Sequence, residues 1–201
     1  MAVLVGREAP DFTVPAVLGN GKIVDNFNFY DATAGKYGLV FFYPLDFTFV
    51  CPSELIALDH AHDEFKKRNV EVVGVSIDSQ FTHNAWRLTP IARGGIGPIR
   101  FVMAADINHT ISRSYGVEHP VAGVALRGAF IIDKNHVVRS QIVNDLPLGR
   151  SVEEILRTID ALTYFEKNGE VCPANWKEGK KAIKPSPEGI AEYLSANSED
   201  L

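Results

Sequence analysis

The stretch that decides the fold of this chain reads Gly38-Leu-Val-Phe-Phe-Tyr-Pro-Leu-Asp-Phe-Thr-Phe-Val-Cys-Pro-Ser-Glu54. Its first six residues form a short apolar run, which predicts a buried strand. A helical pattern follows Cys51, and Pro52 suits the opening position of a helix. We therefore expect Cys51 to lie at a helix cap, at the point where a strand is followed by a helix.

Short apolar runs alternate with longer helical patterns beyond this stretch. Strands are predicted at residues 38–43, 70–77, 99–105, 129–132 and 136–143, and helices at 53–68, 80–89 and 151–168. Residues 133–136 supply turn chemistry for an antiparallel hairpin, and Ser151 with Glu154 forms a capping box. This order predicts an α/β domain over residues 1–168. Residues 169–201 are expected to form an extended C-terminal tail that has no core of its own and packs on another surface.

Composition excludes several function classes. The chain has 201 residues, 46% of them hydrophobic, which is enough for a full core. A net charge of −5 leaves no broad basic face, so we expect no nucleic-acid partner. No stretch approaches the roughly 20 apolar residues of a membrane span, and the first residues do not resemble a signal peptide. We therefore expect a cytoplasmic protein without a membrane partner.

The chain has two cysteines, Cys51 and Cys172, each within a Val-Cys-Pro tripeptide. In a reducing compartment such cysteines are more often catalytic or redox-active than structural, although two inert core thiols remain an alternative. A reactive cysteine needs surroundings that favour its thiolate. The N-terminus of the predicted helix and the Thr48 hydroxyl could provide this, and Pro44 could shield the pocket from water. Arg127 could add a permanent charge, but periodicity alone favours a surface position for it.

Several segments together resemble one protein family. The segment from Pro44 to Glu54 resembles the peroxidatic-cysteine signature of the typical 2-Cys peroxiredoxins, close to their bacterial alkyl hydroperoxide reductase C branch. Further segments resemble the family in family order. They are Ala9-Pro-Asp-Phe12, Val73-Gly-Val-Ser-Ile-Asp78, Leu126-Arg-Gly-Ala-Phe-Ile-Ile-Asp133, Asn144-Asp-Leu-Pro-Leu-Gly-Arg150 and Gly169-Glu-Val-Cys-Pro-Ala-Asn-Trp176. The resemblance covers nearly the whole chain.

The resemblance implies a thioredoxin-like fold, with a central mixed sheet flanked by helices, and thiol peroxidase activity. It implies that Cys51 attacks the peroxide and becomes a sulfenic acid, and that Pro44, Thr48 and Arg127 bind the substrate and assist catalysis. Glu54 is expected to support the site by anchoring its arginines, with a helix-capping role as the alternative. No metal, haem or flavin cofactor is expected.

The resemblance also assigns a role to Cys172 as the resolving cysteine, supplied by the neighbouring subunit of a homodimer. An intramolecular disulfide stays open from the residues alone. Because a cysteine at a helix start is usually recessed, disulfide formation is expected to require local unwinding around Cys51 and movement of the tail. The resemblance further suggests assembly of dimers into a decamer and a thioredoxin-like protein or a flavoprotein reductase as electron donor.

The sequence gives less support to other functions. A general thiol-disulfide oxidoreductase would place a second cysteine three residues after Cys51, where Glu54 stands. A holdase chaperone would retain its activity in a Cys51→Ser variant, whereas a peroxidase would not. Two histidines in Asp59-His-Ala-His-Asp63 invite a metal interpretation, but they would point about 200° apart on a helix. Trp86, Trp176 and the aliphatic side chains of the predicted helix are interpreted as packing residues.

Overall fold

The computed structural model describes residues 3–200 as an α/β protein. Its strands are β1 (Thr13–Val17), β2 (Ile23–Asn28), β3 (Tyr37–Phe42), β4 (Val70–Ser76), β5 (Val102–Ala105), β6 (Arg127–Ile132) and β7 (Val138–Asn144). Its helices are α1 (Phe29–Ala32), α2 (Cys51–His60), α3 (His62–Lys67), α4 (Gln80–Leu88), α5 (Thr110–Ser114), α6 (Val152–Asn168) and α7 (Pro187–Asn197).

The seven strands form one mixed sheet in the order β2-β1-β5-β4-β3-β6-β7. β4 pairs in parallel with β3 and β5, and the other pairs are antiparallel. All six residues of β3 are buried, as expected for a central strand that is covered on both faces. The mixed sheet is therefore confirmed, and the segment that leaves β3 emerges from the middle of the sheet.

The predicted elements are largely present, with shifted boundaries. The single helix predicted over residues 53–68 is divided at Ala61 into α2 and α3. Leu55, Leu58 and Phe65 are nevertheless fully buried, as predicted. The prediction missed the β1–β2 hairpin, because Pro15 lies inside β1 and β2 has a polar centre.

The predicted hairpin between β6 and β7 is confirmed. Asp133 Oδ1 accepts hydrogen bonds from the backbone N–H groups of Asn135 at 2.9 Å and Val137 at 3.0 Å. His136 adopts a left-handed conformation with φ of 60°. The aspartate thus satisfies backbone donors that the turn would otherwise leave unpaired.

The chain forms two compact units, the first ending at Val152 and the second beginning at Glu153. The second unit contains α6 and α7 and an antiparallel bridge between Val171 and Ile183. Trp176 is buried within this unit, with its ring 5.0 Å from that of Tyr164 on α6. Its indole N–H donates to the Lys180 carbonyl at 3.1 Å, so the packing role predicted for Trp176 is confirmed. In residues 3–200, the helices are too short or too polar to cross a bilayer.

Candidate active site

Cys51 is the first residue of α2 and is fully buried. The N-cap is Val50, so the helix begins one residue earlier than predicted, and Pro52 lies in its first turn as expected. The loop that joins β3 to α2 carries Pro44 and Thr48. The order of strand, loop and helix therefore places the thiol at the start of the helix that follows β3, as the sequence predicted.

Two backbone amides at the start of this helix bond within the helix. The N–H groups of Ser53 and Glu54 donate to the Val50 carbonyl at 3.0 and 3.3 Å, and Pro52 has no N–H. The sequence predicts that the start of the helix stabilises a thiolate at Cys51, but these two N–H groups do not donate to the sulfur.

Arg127, the first residue of β6, supplies the charge beside the thiol. Its Nη1 lies 3.4 Å from Cys51 Sγ and 2.6 Å from Glu54 Oε2, and its Nε donates to the Leu146 carbonyl at 2.6 Å. Only 4% of the residue is exposed. The surface position that periodicity favoured for Arg127 is therefore wrong, whereas the position implied by family resemblance agrees with this geometry.

Glu54 anchors two arginines. Besides Arg127, its carboxylate accepts hydrogen bonds from Arg150 Nε at 2.9 Å, Nη2 at 3.0 Å and backbone N at 2.9 Å. Arg150 also donates to the Gly128 carbonyl and places its guanidinium over the Phe41 ring, 3.3 Å from the centroid. Burial lowers the pKa of Arg150 to about 10, and the Glu54 carboxylate opposes this shift.

The charges of this buried group are unequal. Two guanidinium groups face one carboxylate, which leaves one net positive charge next to Cys51. An ionised thiol at Cys51 would neutralise that charge. Because unpaired charge is costly in a buried site, this positive charge can stabilise negative charge that develops at the sulfur or on a substrate oxygen.

Pro44 and Thr48 lie in the loop between β3 and α2. Pro44 is buried, and it contributes no N–H to compete for the sulfur. The Thr48 hydroxyl donates to the Leu45 carbonyl at 2.8 Å. Since its hydrogen is held there, the lone pairs of the oxygen remain available to accept a hydrogen bond from a substrate O–H.

Cys172 lies in the second unit, where it is partly buried, and both cysteines are free thiols. Its Sγ lies 3.5 Å from the Ala161 carbonyl of α6. Burial raises the pKa of the Cys172 thiol, and the Arg157 guanidinium partly offsets this increase. The thiol is therefore held mainly in its protonated form at neutral pH.

Comparison with known proteins agrees with this geometry. Residues 5–141 match the model of the AhpC/TSA family, and residues 161–196 match that of the C-terminal domain of 1-Cys peroxiredoxin. The chain belongs to the AhpC/TSA family of peroxiredoxins. Alkyl hydroperoxide reductase C of Buchnera aphidicola subsp. Baizongia pistaciae is 54% identical over 197 residues, 98% of this chain and 99% of that protein.

Solved peroxiredoxin structures share this fold. The reduced 2-Cys peroxiredoxin of Plasmodium vivax is 52% identical, with a TM-score of 0.93 over 96% of this chain and 100% of that one. Plasmodium yoelii Prx1a, modified at its N-terminus, is 54% identical with a TM-score of 0.76, covering 85% of this chain and 98% of its own. That protein forms an octamer described as artifactual. The thioredoxin-like fold of the peroxiredoxins is thus confirmed, and the protein is a thiol-dependent peroxidase.

This peroxiredoxin brings together three of the residues proposed for its site: Cys51, Arg127 and Glu54. Arg150 was missed as a site residue, although it lies within a segment that resembles the family. Two observations could have identified Arg150: the family resemblance of its segment, and the expectation that Glu54 anchors more than one arginine. Spacing could not identify Arg150, because it lies 96 residues from its carboxylate partner.

Proposed function

We propose that Cys51 is the peroxide-reacting nucleophile and that Cys172 resolves the product. The observation that carries this proposal is the 3.4 Å contact between Arg127 and the buried Cys51 sulfur. In the first step, the thiolate attacks one oxygen of the peroxide and the O–O bond breaks. Cys51 becomes a sulfenic acid, and the other oxygen takes up a proton and leaves as water or an alcohol.

The surrounding residues have distinct roles in this proposal. Thr48 accepts a hydrogen bond from the peroxide O–H, which orients the oxygen that is attacked. Arg127 stabilises the thiolate before the reaction and the negative charge that develops on the leaving oxygen during it. Pro44 covers the pocket, and Glu54 with Arg150 fixes the direction of the Arg127 guanidinium.

The second step forms a disulfide. The Cys172 thiolate attacks the sulfenic sulfur of Cys51, and the hydroxyl group leaves as water after taking up a proton. We assign Cys172 to the partner subunit of a homodimer, with local unwinding of α2 before the sulfurs meet. A thioredoxin-like protein or a flavoprotein reductase then reduces the disulfide, and a cytoplasmic location would keep both thiols reduced between cycles.

Assembly beyond the dimer is also part of this proposal. α4 exposes the large apolar side chains of Phe81 and Leu88, and the half-exposed Phe47 ring lies 5.8 Å from Trp86 of the same helix. Exposed apolar side chains of this size on one helix are typical of an interaction surface. We assign this surface to contacts between dimers, with closure into a decamer.

A non-reducing denaturing gel tests the two cysteine roles. The reduced protein should shift to twice the chain mass after one equivalent of hydrogen peroxide, and neither Cys51→Ser nor Cys172→Ser should show the shift. A monomeric band with both thiols consumed would contradict the intersubunit disulfide. Thiols that remain free would contradict the peroxidase assignment of Cys51.

The resolving step should depend on pH because the pKa of Cys172 is raised. Only the thiolate attacks, and its fraction increases about tenfold per pH unit below the pKa. We expect the rate of disulfide formation to increase with pH between 7 and 9, measured by stopped-flow tryptophan fluorescence after rapid mixing with peroxide. Arg157→Gln should slow this phase further and leave the peroxide step unchanged. A resolving rate independent of pH in this range would contradict the prediction.

A further inference from the structure

A buried polar cluster lies beneath the loop that joins β3 to α2. We define it as Tyr43, Asp46, Asp78 and His83, and the mechanism proposed above assigns no role to any of them. The side chains of Asp46 and His83 are fully buried. Buried polar and charged groups of this kind are costly unless each is paired, so their contacts indicate what they stabilise.

Asp46 is held at both its side chain and its backbone. The Tyr43 hydroxyl donates to Asp46 Oδ1 at 2.8 Å, and His83 Nδ1 lies 2.8 Å from Asp46 Oδ2. The Asp46 backbone N–H donates to Asp78 Oδ2 at 2.9 Å, and Asp78 Oδ2 also accepts from the Ser76 hydroxyl at 2.7 Å. The middle of the loop is therefore fastened to β4, α4 and the segment between them.

His83 and Asp46 form a buried hydrogen-bonded pair. His83 Nε2 faces the Ala104 carbonyl of β5 at 3.3 Å, so both ring nitrogens have an oxygen partner. The second ring nitrogen, Nδ1, faces the carboxylate. Removal of the imidazole would leave Asp46 Oδ2 buried without this hydrogen-bond partner, which is costly. Burial raises the pKa of Asp46, and its hydrogen bond to His83 opposes this shift.

Asp46 is close in the chain to the residues proposed to bind the peroxide. Asp46 lies two residues after Pro44 and two before Thr48. Between Asp46 and Thr48, Phe47 has a left-handed φ of 55°, which is unfavourable for a bulky residue and persists only where its surroundings enforce it. Asp46 and Phe47 both contact α4, through His83 and Trp86.

We propose that Asp46 and His83 are positioning residues, which set the conformation of the loop and thereby the place of Pro44 and Thr48 at the peroxide. This inference rests on the proposed function, because it concerns how the loop presents a substrate to Cys51. The pair does not set the charge at the sulfur, since Arg127, Glu54 and Arg150 do that through a separate hydrogen-bond network. Reactivity towards a peroxide and towards an alkylating reagent should therefore respond differently.

The test compares two reactions of Cys51 in full-length protein carrying Cys172→Ser, so that one thiol remains. In this background His83→Asn keeps an amide donor near the Nδ1 position but removes the imidazole that contacts both Asp46 and Ala104. We expect it to slow the reaction with hydrogen peroxide by about 10- to 100-fold, the scale of a displacement near 1 Å. Alkylation of Cys51 by iodoacetamide should change little.

The conservative second substitution provides a rescue. Asp46→Asn in the His83→Asn background removes the buried carboxylate and lets two amides pair, so the double variant should react with peroxide faster than His83→Asn alone. The matched control is His109→Asn, because His109 Nδ1 also lies 2.8 Å from a carboxylate, that of Glu118, but at a partly exposed position. The control should keep the parent rates. If His83→Asn does not fold, Tyr43→Phe removes one donor to Asp46 and should slow the peroxide step selectively.

The outcomes separate this inference from the proposed function. No peroxide reaction in the Cys172→Ser parent would overturn both. A reactive parent with an equally reactive His83→Asn variant would overturn the positioning role alone. Equal losses in the peroxide and alkylation rates would also overturn it, because they would indicate general damage, as would a double variant no faster than His83→Asn.

Discussion

Arg127→Gln is expected to slow the reaction of Cys51 with hydrogen peroxide by about 10²–10³-fold, the usual loss when one preorganised donor to a developing charge is removed. The guanidinium Nη1 is 3.4 Å from the sulfur, and the amides of Ser53 and Glu54 are bonded to Val50 instead. Glutamine keeps polar atoms but no charge. The thiolate and the leaving oxygen would then lose the charge that lies beside the sulfur. Arg150 would not replace it, because its guanidinium is held by Glu54 and Gly128.

The rate can be measured by competition with a haem peroxidase for a limiting amount of hydrogen peroxide. Arg113→Gln is the matched control, because Arg113 is also paired with a carboxylate, that of Glu118, but is largely exposed. It should react as fast as the unsubstituted protein. An Arg127→Gln variant that kept its rate within a small factor would show that the charge beside the sulfur is not what activates it.

Arg127 also shows which kind of contact a local sequence pattern cannot predict. In a strand that is buried on one face, alternation separates surface residues from core residues. All six residues of β6 are buried, so the strand offers no alternation by which Arg127 could be assigned to either group. A charged residue in such a strand needs a buried counter-charge, and that partner, Glu54, lies 73 residues away. The family resemblance therefore predicted the position of Arg127 beside Cys51, whereas the local sequence pattern did not.

Other parts of the fold could be predicted from the sequence because they depend on residues that are close together in the chain. The strand before Cys51 is one continuous apolar run, and Pro52 marks the helix start that follows it. The turn at Asp133 depends on a side chain that bonds to backbone groups two and four residues later. In contrast, the pairing of Asp46 with His83 depends on how α4 packs under the loop, which no local pattern indicates.

Glu54→Gln should destabilise the folded protein by about 3–5 kcal/mol, the usual cost of removing one partner from a buried ion pair. Glu54 is 4% exposed and accepts hydrogen bonds from both arginines. Glutamine would leave two buried guanidinium groups without a counter-charge, and its amide N–H₂ would face donors instead of offering them an acceptor. The loss should appear as a lower urea midpoint of the reduced protein at fixed concentration, with little change in slope.

Glu64→Gln is the control that separates the effect of burial from the effect of losing the charge. Glu64 also joins two cations, Lys67 at 2.6 Å and Arg68 at 2.8 Å, but its side chain is 45% exposed. Because solvent screens such pairs, this substitution should leave the urea midpoint almost unchanged. If both variants lost the same small amount, the Glu54 carboxylate would not be needed to stabilise the arginines. If only Glu54→Gln lost stability and its peroxide rate also fell, one buried carboxylate would both stabilise the fold and hold Arg127 against the sulfur.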